Sequence, residues 1–247
     1  MLITSSDNER VKKYIKLKQK KYREKYNEFI VEGEHLVLEA KRGGIIKEII
    51  LEKDEVLPLD GEKIYLPYEI MKKISTNENP PKVMALCEKK EEEKEIGNKI
   101  LLIDGVQTPG NLGTIIRSAK AFNVDTIILS ENTVDLYNPK VLRVTQGMLF
   151  HINIFTDDLK EAITRIKKKE IPVYTTNVNY GEDVRKLSAK AKKKYALIIG
   201  NEAQGVRDEI TDLADSKLYI KMNDDVESLN VGVATSILLY ELGDDDE

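Results

Sequence analysis

The sequence predicts an α/β protein built from two domains, and three observations support this. Short apolar segments alternate with amphipathic ones along most of the chain, which is the pattern of strands followed by helices. The length of 247 residues exceeds that of one average domain. Residues 88–97 are almost entirely charged and cannot join a core, so we expect a linker there. The predicted domains are residues 1–92 and residues 97–243.

The first domain is predicted to be a small α/β unit. Its strand signals are short runs of β-branched and aromatic residues, and its helix signals are apolar residues at helical spacing. The expected strands are 29–31, 46–51, 63–66 and 83–87. The expected helices are 7–20, 34–42 and 68–74.

The second domain is predicted to be a parallel sheet covered by helices. Residues 100–103 form an apolar run that ends at Asp104, as expected of a strand buried on both faces. Further strands are expected at 126–129, 152–155, 172–175, 196–199 and 218–220, with helices at 111–122, 158–169, 183–193 and 229–242. Sheets of this kind bind ligands outside the carboxyl ends of their strands.

Composition excludes several classes of protein. No apolar segment is long enough to span a bilayer, and the first residues lack the apolar core of a signal peptide. The single Cys87 excludes an internal disulfide framework, which fits a reducing cytoplasm. His35 and His151 are the only histidines, too few for a zinc site or a Ser-His-Asp triad, so we expect no metal.

The charge distribution leaves two interpretations open. The whole chain carries a net charge of −4, which argues against a partner bound by phosphate neutralisation. Residues 1–25, however, hold nine basic and three acidic residues, a local charge of +6. These lysines either contact a phosphate backbone or simply solvate one face of a helix.

Three loops at carboxyl ends of predicted strands carry residue types suited to a ligand site. The first contains Asn111 and leads to Arg117, the second contains Glu202 between two glycines, and the third contains Ser228 and Asn230. Each has an ordinary structural explanation as well. Asn111 and Ser228 are typical helix caps, and Arg117 would then lie on the solvent face of its helix.

Together, in this order, the loops resemble the signature motifs of the SpoU (TrmH) methyltransferases. The matching elements are Asn111-x-Gly113-x-x-x-Arg117-x-Ala119, Gly200-x-Glu202-x-x-Gly205 and Ser228-Leu229-Asn230-Val231, with Tyr137-Asn138-Pro139-Lys140-Val141 between them. Phe29-Ile30-Val31-Glu32-Gly33 and the preceding basic helix resemble the substrate-binding domain of members that act on ribosomal RNA. The resemblance therefore covers nearly the whole chain.

The resemblance implies an L30e-like RNA-binding domain followed by a SPOUT domain, a parallel sheet with a deep trefoil knot. It implies methylation of a ribose 2′-hydroxyl in RNA, ribosomal RNA above all, with S-adenosylmethionine as the methyl donor. A homodimer is also implied, and the last helix offers Leu238, Leu239 and Leu242 for pairing.

The resemblance also assigns roles to residues. Arg117 would act on the ribose hydroxyl or its neighbouring phosphate, and Asn111 would orient Arg117 and the ribose. Glu202 would support Arg117 or the nucleotide, and Ser228 with Asn230 would complete the pocket by hydrogen bonding. The cofactor would be enclosed by Thr175, Thr176, Asn177, Gly200, Ile220, Met222 and Leu229.

The sequence departs from the family pattern at three places, and alternative functions are left open. Lys221 stands where proline is usual, Gly232 replaces a small hydroxyl residue, and residues 144–147 vary from the usual segment. One alternative is a non-catalytic RNA-binding or ribosome-assembly factor with the same fold, and another is a tRNA-directed methyltransferase. A dehydrogenase is disfavoured because no Gly-x-Gly-x-x-Gly follows the first strand of the sheet.

Overall fold

The computed structural model describes residues 1–177 and 180–243, which form two compact units. Unit 1 comprises Met1–Glu91 and Asp135–Phe150, and unit 2 comprises Glu92–Val134 and residues 151–243. The strands are β1 (Glu28–Glu32), β2 (Ile46–Glu52), β3 (Lys63–Leu66), β4 (Val83–Glu88), β5 (Lys99–Asp104), β6 (Thr126–Leu129), β7 (Asn153–Thr156), β8 (Val173–Thr176), β9 (Glu182–Asp183), β10 (Tyr195–Gly200) and β11 (Ser216–Tyr219).

The α-helices are α1 (Glu9–Lys16), α2 (Lys20–Tyr26), α3 (Glu34–Arg42), α4 (Tyr68–Ile74), α5 (Pro109–Ala121), α6 (Pro139–Thr145), α7 (Leu159–Lys168), α8 (Ala189–Lys193), α9 (Asp208–Thr211) and α10 (Val231–Glu241). Among the described residues, none of these helices combines the length and apolar character needed to cross a bilayer.

Unit 1 contains a four-stranded sheet in the order β1-β4-β2-β3. The pairs β1–β4 and β4–β2 are antiparallel, and β2–β3 is parallel. Apolar residues of these strands form one core with α1 and α4, in which Tyr14, Ile50, Met71 and Met84 are almost completely buried. The four strands expected from the sequence of this domain are all present.

The single helix predicted over residues 7–20 is wrong, because the chain forms two short helices here. α1 ends at Lys16, and α2 begins at Lys20. The guanidinium of Arg23 donates to the carbonyl oxygens of Leu17 and Lys18, each at 2.8 Å. These side-chain hydrogen bonds replace helical ones, so the interruption leaves no buried carbonyl unsatisfied at those two positions.

The second segment of unit 1, residues 135–150, was not expected to pack there. The rings of Tyr137 and Phe150 lie 4.7 and 6.1 Å from that of Phe29 on β1. The Arg23 side chain, only 4% exposed, also pairs with Asp135, at 3.2 Å from Nε and 2.5 Å from Nη2. Aromatic packing and a buried ion pair therefore join this distant stretch of chain to the N-terminal unit.

Unit 2 contains a seven-stranded parallel sheet in the order β7-β6-β5-β10-β8-β11-β9, which confirms the predicted fold class. Strand β10 lies between β5 and β8, with Ile199 opposite Ile103 and Ile198 opposite Thr175. All six residues of β10 are buried. The direction of winding reverses at β5, so the loops after β5 and β10 meet at the edge where such sheets bind ligands.

Residues 183–193 do not form the single helix that the sequence predicted. Glu182–Asp183 is a short strand, Val184–Lys186 is a 3₁₀ turn, and only Ala189–Lys193 is α-helical. The side chain of Asp183 accepts from the backbone N–H of Arg185, and Leu187 is extended. Polar caps and the lack of an apolar stripe thus favour turns over a continuous helix.

We predict that Arg23→Ala lowers the free energy of unfolding by about 3 kcal/mol, because it leaves the Asp135 carboxylate without its partner and two carbonyl groups without their donors. Urea denaturation of the full chain measures this. Lys20→Ala is the matched control, since its exposed pair with Glu24 at 3.6 Å is worth about 0.5 kcal/mol at most. Equal effects of the two substitutions would contradict a stabilising role for Arg23.

Candidate active site

The loops that follow β5 and β10 are bound to each other at the carboxyl edge of the sheet. Gly200, the last residue of β10, lies opposite Asp104, the last residue of β5. The side chain of Asn201 then donates to the carbonyl oxygen of Gly105 at 2.8 Å. The two loops that the sequence marked as separate motifs therefore begin side by side.

Gly200 is required by a close approach of the chain to itself. A Cβ atom on this residue would lie 2.0 Å from the carbonyl carbon of Gly205 and 2.1 Å from the nitrogen of Val206. The backbone of the loop, with mutual hydrogen bonds between Asn201 and Gly205 of 2.9 Å, folds back directly over the end of the strand. No residue with a side chain fits there without moving the main chain.

Glu202 binds the beginning of α5. Its carboxylate accepts from the backbone N–H groups of Gln107 and Thr108, at 3.1 and 2.9 Å, and from Nδ2 of Asn111 at 2.9 Å. The N-cap residue Thr108 makes no side-chain capping bond, so Glu202 supplies the acceptor that the helix start needs. Burial acts to raise the pKa of Glu202, but these hydrogen bonds outweigh it and lower that pKa to about 2.

The third loop joins the same network through Asn230. Its Nδ2 donates to Oδ1 of Asn111 at 3.0 Å, and its Oδ1 accepts from the backbone N–H of Gly232 at 2.9 Å. Asn230 is therefore the N-cap of α10. Ser228, which the sequence suggested as the cap, is exposed and lies two residues before it. Asn230 caps the helix instead of Ser228 because its side-chain amide can accept from the helix start and donate to Asn111 at the same time.

Helices α5 and α10 start at this network and pack side by side in the same direction. Thr114 lies against Gly232, where a Cβ would be 3.2 Å from two atoms of the threonine. The hydroxyls of Ser118 and Ser236 are 2.7 Å apart. The glycine that departs from the family pattern at position 232 thus stands where the two helices approach closely.

Arg117 lies outside this network. It is exposed on α5, and within the described residues no hydrogen bond or ion pair holds its guanidinium. The expected orientation of Arg117 by Asn111 is not seen, because Asn111 is engaged by Glu202 and Asn230. The guanidinium is left free to bind a ligand from solvent.

The residues expected to hold the cofactor lie on β8 and on the segment after β11. Thr176 is paired with Leu218, and the backbone N–H of Asn177 donates to the Leu218 carbonyl at 2.9 Å. Thr175 is completely buried, and its hydroxyl has no hydrogen-bond partner in the part of the chain that the structure describes. The other candidates in this segment are partly exposed apolar residues, Ile220, Met222 and Leu229.

This combination fits an adenosine-type ligand. Partly exposed apolar side chains can enclose a flat ring, and the unpaired hydroxyl and strand-end backbone groups can satisfy its polar atoms. Among residues 1–177 and 180–243 no group of acidic, histidine and cysteine side chains is arranged to hold a metal ion.

Sequence reasoning missed several residues that build this edge. Asn201 bridges to the β5 loop, and the Gln107 side chain donates to the carbonyl of Asn132. The buried carboxylate of Asp104 binds the backbone N–H of Arg207 at 3.0 Å and its Nε at 2.9 Å. The only available signal was position, since Asp104 ends a strand and Asn201 sits inside the glycine-rich motif.

We predict that Glu202→Gln lowers the free energy of unfolding by about 1 kcal/mol at pH 7, because the amide NH₂ faces the N–H donors at the helix start; partial exposure keeps the effect small. Since the folded-state pKa is below the ordinary value of about 4.3, the carboxylate stabilises the fold fully above that value and loses its effect as pH falls through about 2. Denaturation at pH 7 and pH 3 measures both, with the exposed Glu131→Gln as control. A difference from the control that does not shrink at pH 3 would contradict the prediction.

Comparison with known proteins identifies the family to which both parts of the chain are similar. Residues 98–240 match the SpoU rRNA Methylase family, and residues 8–85 match the MRM3-like substrate binding domain. The chain is 39% identical to the 23S rRNA (guanosine(2553)-2′-O)-methyltransferase RlmP of Bacillus subtilis over 97% of this chain and 98% of that protein.

Solved structures are similar across almost the entire chain. The S-adenosylmethionine-bound rRNA methyltransferase of Sinorhizobium meliloti has a TM-score of 0.85 and 29% identity, covering 98% of this chain and 97% of that one. An RNA 2′-O ribose methyltransferase has a TM-score of 0.83 and 27% identity, covering 98% of each chain. The chain therefore belongs to the SpoU rRNA methylase family.

Proposed function

We propose that this protein transfers a methyl group from S-adenosylmethionine to a ribose 2′-hydroxyl of ribosomal RNA. The observation that carries the proposal is the convergence of three loops on Glu202, Asn111 and Asn230 at one edge of the sheet. The named activities of the relatives support the reaction, and the match to a substrate-binding domain supports RNA as the substrate. We assign RNA binding to residues 1–92 and catalysis to residues 97–243.

The cofactor, when bound, supplies a methyl group on a positively charged sulfur. We assign its binding to Thr175, Thr176, Asn177, Gly200, Ile220, Met222 and Leu229. The buried Thr175 hydroxyl without a partner among the described residues supports this, as do the partly exposed apolar side chains of Ile220, Met222 and Leu229. A sulfonium needs no metal to transfer its methyl group, so enclosure and orientation are what the chain must provide.

The role of the remaining residues follows from charge. A ribose hydroxyl is a weak nucleophile, and a nearby positive charge favours loss of its proton to water as the new O–C bond replaces the methyl–sulfur bond. The free guanidinium of Arg117 can hold the phosphate next to that hydroxyl, which fixes the nucleotide and stabilises developing negative charge. Glu202, Asn111 and Asn230 act by positioning α5, the helix that carries Arg117.

The family resemblance adds two structural proposals. We infer that residues 200–242 thread through a loop of the sheet to form the trefoil knot of the SPOUT fold. The similarity to solved structures of RNA methyltransferases over 98% of the chain supports this proposal. We also propose that the protein works in the cytoplasm, where ribosomal RNA is accessible.

We predict that Arg117→Ala reduces methyl transfer at least a hundredfold but leaves cofactor affinity within about threefold, because Arg117 acts on the RNA. Transfer of labelled methyl from S-adenosylmethionine to unmodified ribosomal RNA measures the first, and titration calorimetry the second. Lys120→Ala, exposed on the same helix, is the control. Transfer at the normal rate by Arg117→Ala would overturn this role, and absence of cofactor binding by the native chain would overturn the proposed function.

We further propose a homodimer, but not through the leucines expected from the sequence. Leu238, Leu239 and Leu242 are buried within the described chain and cannot pair with a partner. Helix α10 is predominantly apolar, and Val233 and Tyr240 remain 47% and 69% exposed. A helix of this kind requires cover on its outer face as well.

We predict that the native chain sediments as a dimer and that Tyr240→Glu converts it to a monomer, because a charge would be buried in the interface. Sedimentation velocity across a range of concentrations measures this. Val56→Glu, at an exposed position in unit 1, is the control and stays dimeric. A monomeric native chain would contradict the proposal.

A further inference from the structure

Helix α2 carries two partly exposed tyrosines that are surrounded by lysines of α1 and α2, and one of them, Tyr26, also packs against the core of unit 1. Tyr22 and Tyr26 lie one turn apart on α2, with ring centroids 6.2 Å apart and planes 13° from parallel. Lys16 and Lys21 lie over the ring of Tyr22, at 5.8 and 4.8 Å, and Lys25 lies 5.7 Å from that of Tyr26. We call these five residues the tyrosine–lysine surface.

These lysines differ from most other basic residues nearby. Arg10, Lys12, Lys13, Lys20 and Arg23 each have an acidic partner. Within residues 1–177 and 180–243, only Lys16, Lys18, Lys21 and Lys25 of this segment form no ion pair, and three of these four belong to the tyrosine–lysine surface. Uncompensated charge is thus gathered around the two rings.

The charge of the whole chain makes this local concentration more informative. Residues 1–25 carry +6 while the chain carries −4, so the remaining residues carry −10. Lysines that served only to solvate the protein could be spread over its whole surface. A positive patch on an acidic protein instead directs a polyanion to one place.

We propose that the tyrosine–lysine surface binds an unpaired stretch of RNA that flanks the methylated nucleotide, an inference that rests on the proposed function. The two rings are near-parallel and partly exposed, so they offer stacking surface to bases that are free of pairing. The flexible lysine amines can move from the rings to the phosphates. A duplex would present only phosphates, since its bases are stacked on each other. An acidic peptide would engage the lysines but gain nothing from the rings.

The test is fluorescence anisotropy of the full chain with a labelled unpaired 12-nucleotide RNA and with a duplex of the same length. We expect the chain to bind the unpaired RNA more tightly than the duplex. The double substitution Tyr22→Leu and Tyr26→Leu lowers the affinity for the unpaired RNA about tenfold for each stacked base. Tyr22→Phe with Tyr26→Phe keeps the rings and retains binding. Tyr68→Leu, an exposed tyrosine on α4, is the control.

The lysines are tested by the salt dependence of the same binding. Replacing Lys16, Lys21 and Lys25 with glutamine removes three phosphate contacts, so the slope of log affinity against log salt becomes shallower by about 2. Lys72→Gln with Lys73→Gln, on exposed positions of α4, leaves the slope unchanged. The proposal would be overturned if the duplex bound as tightly as the unpaired RNA, or if the leucine variants bound RNA as tightly as Tyr68→Leu does. It would also be overturned if a polyglutamate peptide displaced all of the RNA while the leucine substitutions had no effect on binding.

Methyl transfer separates this inference from the proposed function. The leucine variants raise the KM for RNA at least tenfold, while kcat and the heat of S-adenosylmethionine binding stay within about twofold. A native chain that binds the unpaired RNA but transfers no methyl group would refute the proposed function alone. A native chain that transfers methyl, with leucine variants kinetically equal to Tyr68→Leu, would refute the tyrosine–lysine surface alone.

Discussion

The arrangement of the site depends on one carboxylate, that of Glu202, at the start of α5. Two backbone N–H groups and the Asn111 amide all point to it, and it comes from the loop after a different strand. An unpaired set of N–H groups at a helix start attracts an anion, so the helix and the loop fix each other. Asn230 then joins α10 to the same point through Asn111. Three distant stretches of sequence are held together by these few hydrogen bonds.

Close packing extends this fixed arrangement from the loops to the strand end and the two helices. The end of β10 tolerates only glycine at position 200, and α10 approaches α5 over Gly232 and the Ser118–Ser236 hydroxyl pair. Small residues and short polar contacts let two helices run side by side without large side chains between them. The exposed face of α5 that carries Arg117 is therefore presented by a rigid element, while its guanidinium remains free. A guanidinium that is held in position but has no protein partner is available to bind an anionic substrate group.

The fold was predicted correctly where the local pattern of apolar residues determines it, and wrongly where individual side-chain hydrogen bonds determine it. Buried strands such as β5 and β10 are recognisable as apolar runs in the sequence, so the parallel sheet was predicted correctly. The break between α1 and α2 was not, because it depends on Arg23 binding carbonyl groups six and five residues earlier. Ser228 was predicted to cap α10, but Asn230 accepts the hydrogen bonds of the helix start and also donates to Asn111. The roles of Arg117 and of the cofactor residues rest on resemblance and remain predictions.

The least predictable feature is the assignment of residues 135–150 to unit 1. Phe29 finds Tyr137 and Phe150 as ring neighbours, and Arg23 finds Asp135 for a charge that is otherwise buried. A buried guanidinium without its carboxylate is costly, so the first 91 residues lack part of what stabilises them. Unit 1 is therefore complete only after residue 150 has been synthesised, by which point the residues of β5 and β6 in unit 2 have also been synthesised. The first domain was predicted to end at residue 92, before the second begins at residue 97, but unit 1 contains residues from both sides of this predicted boundary.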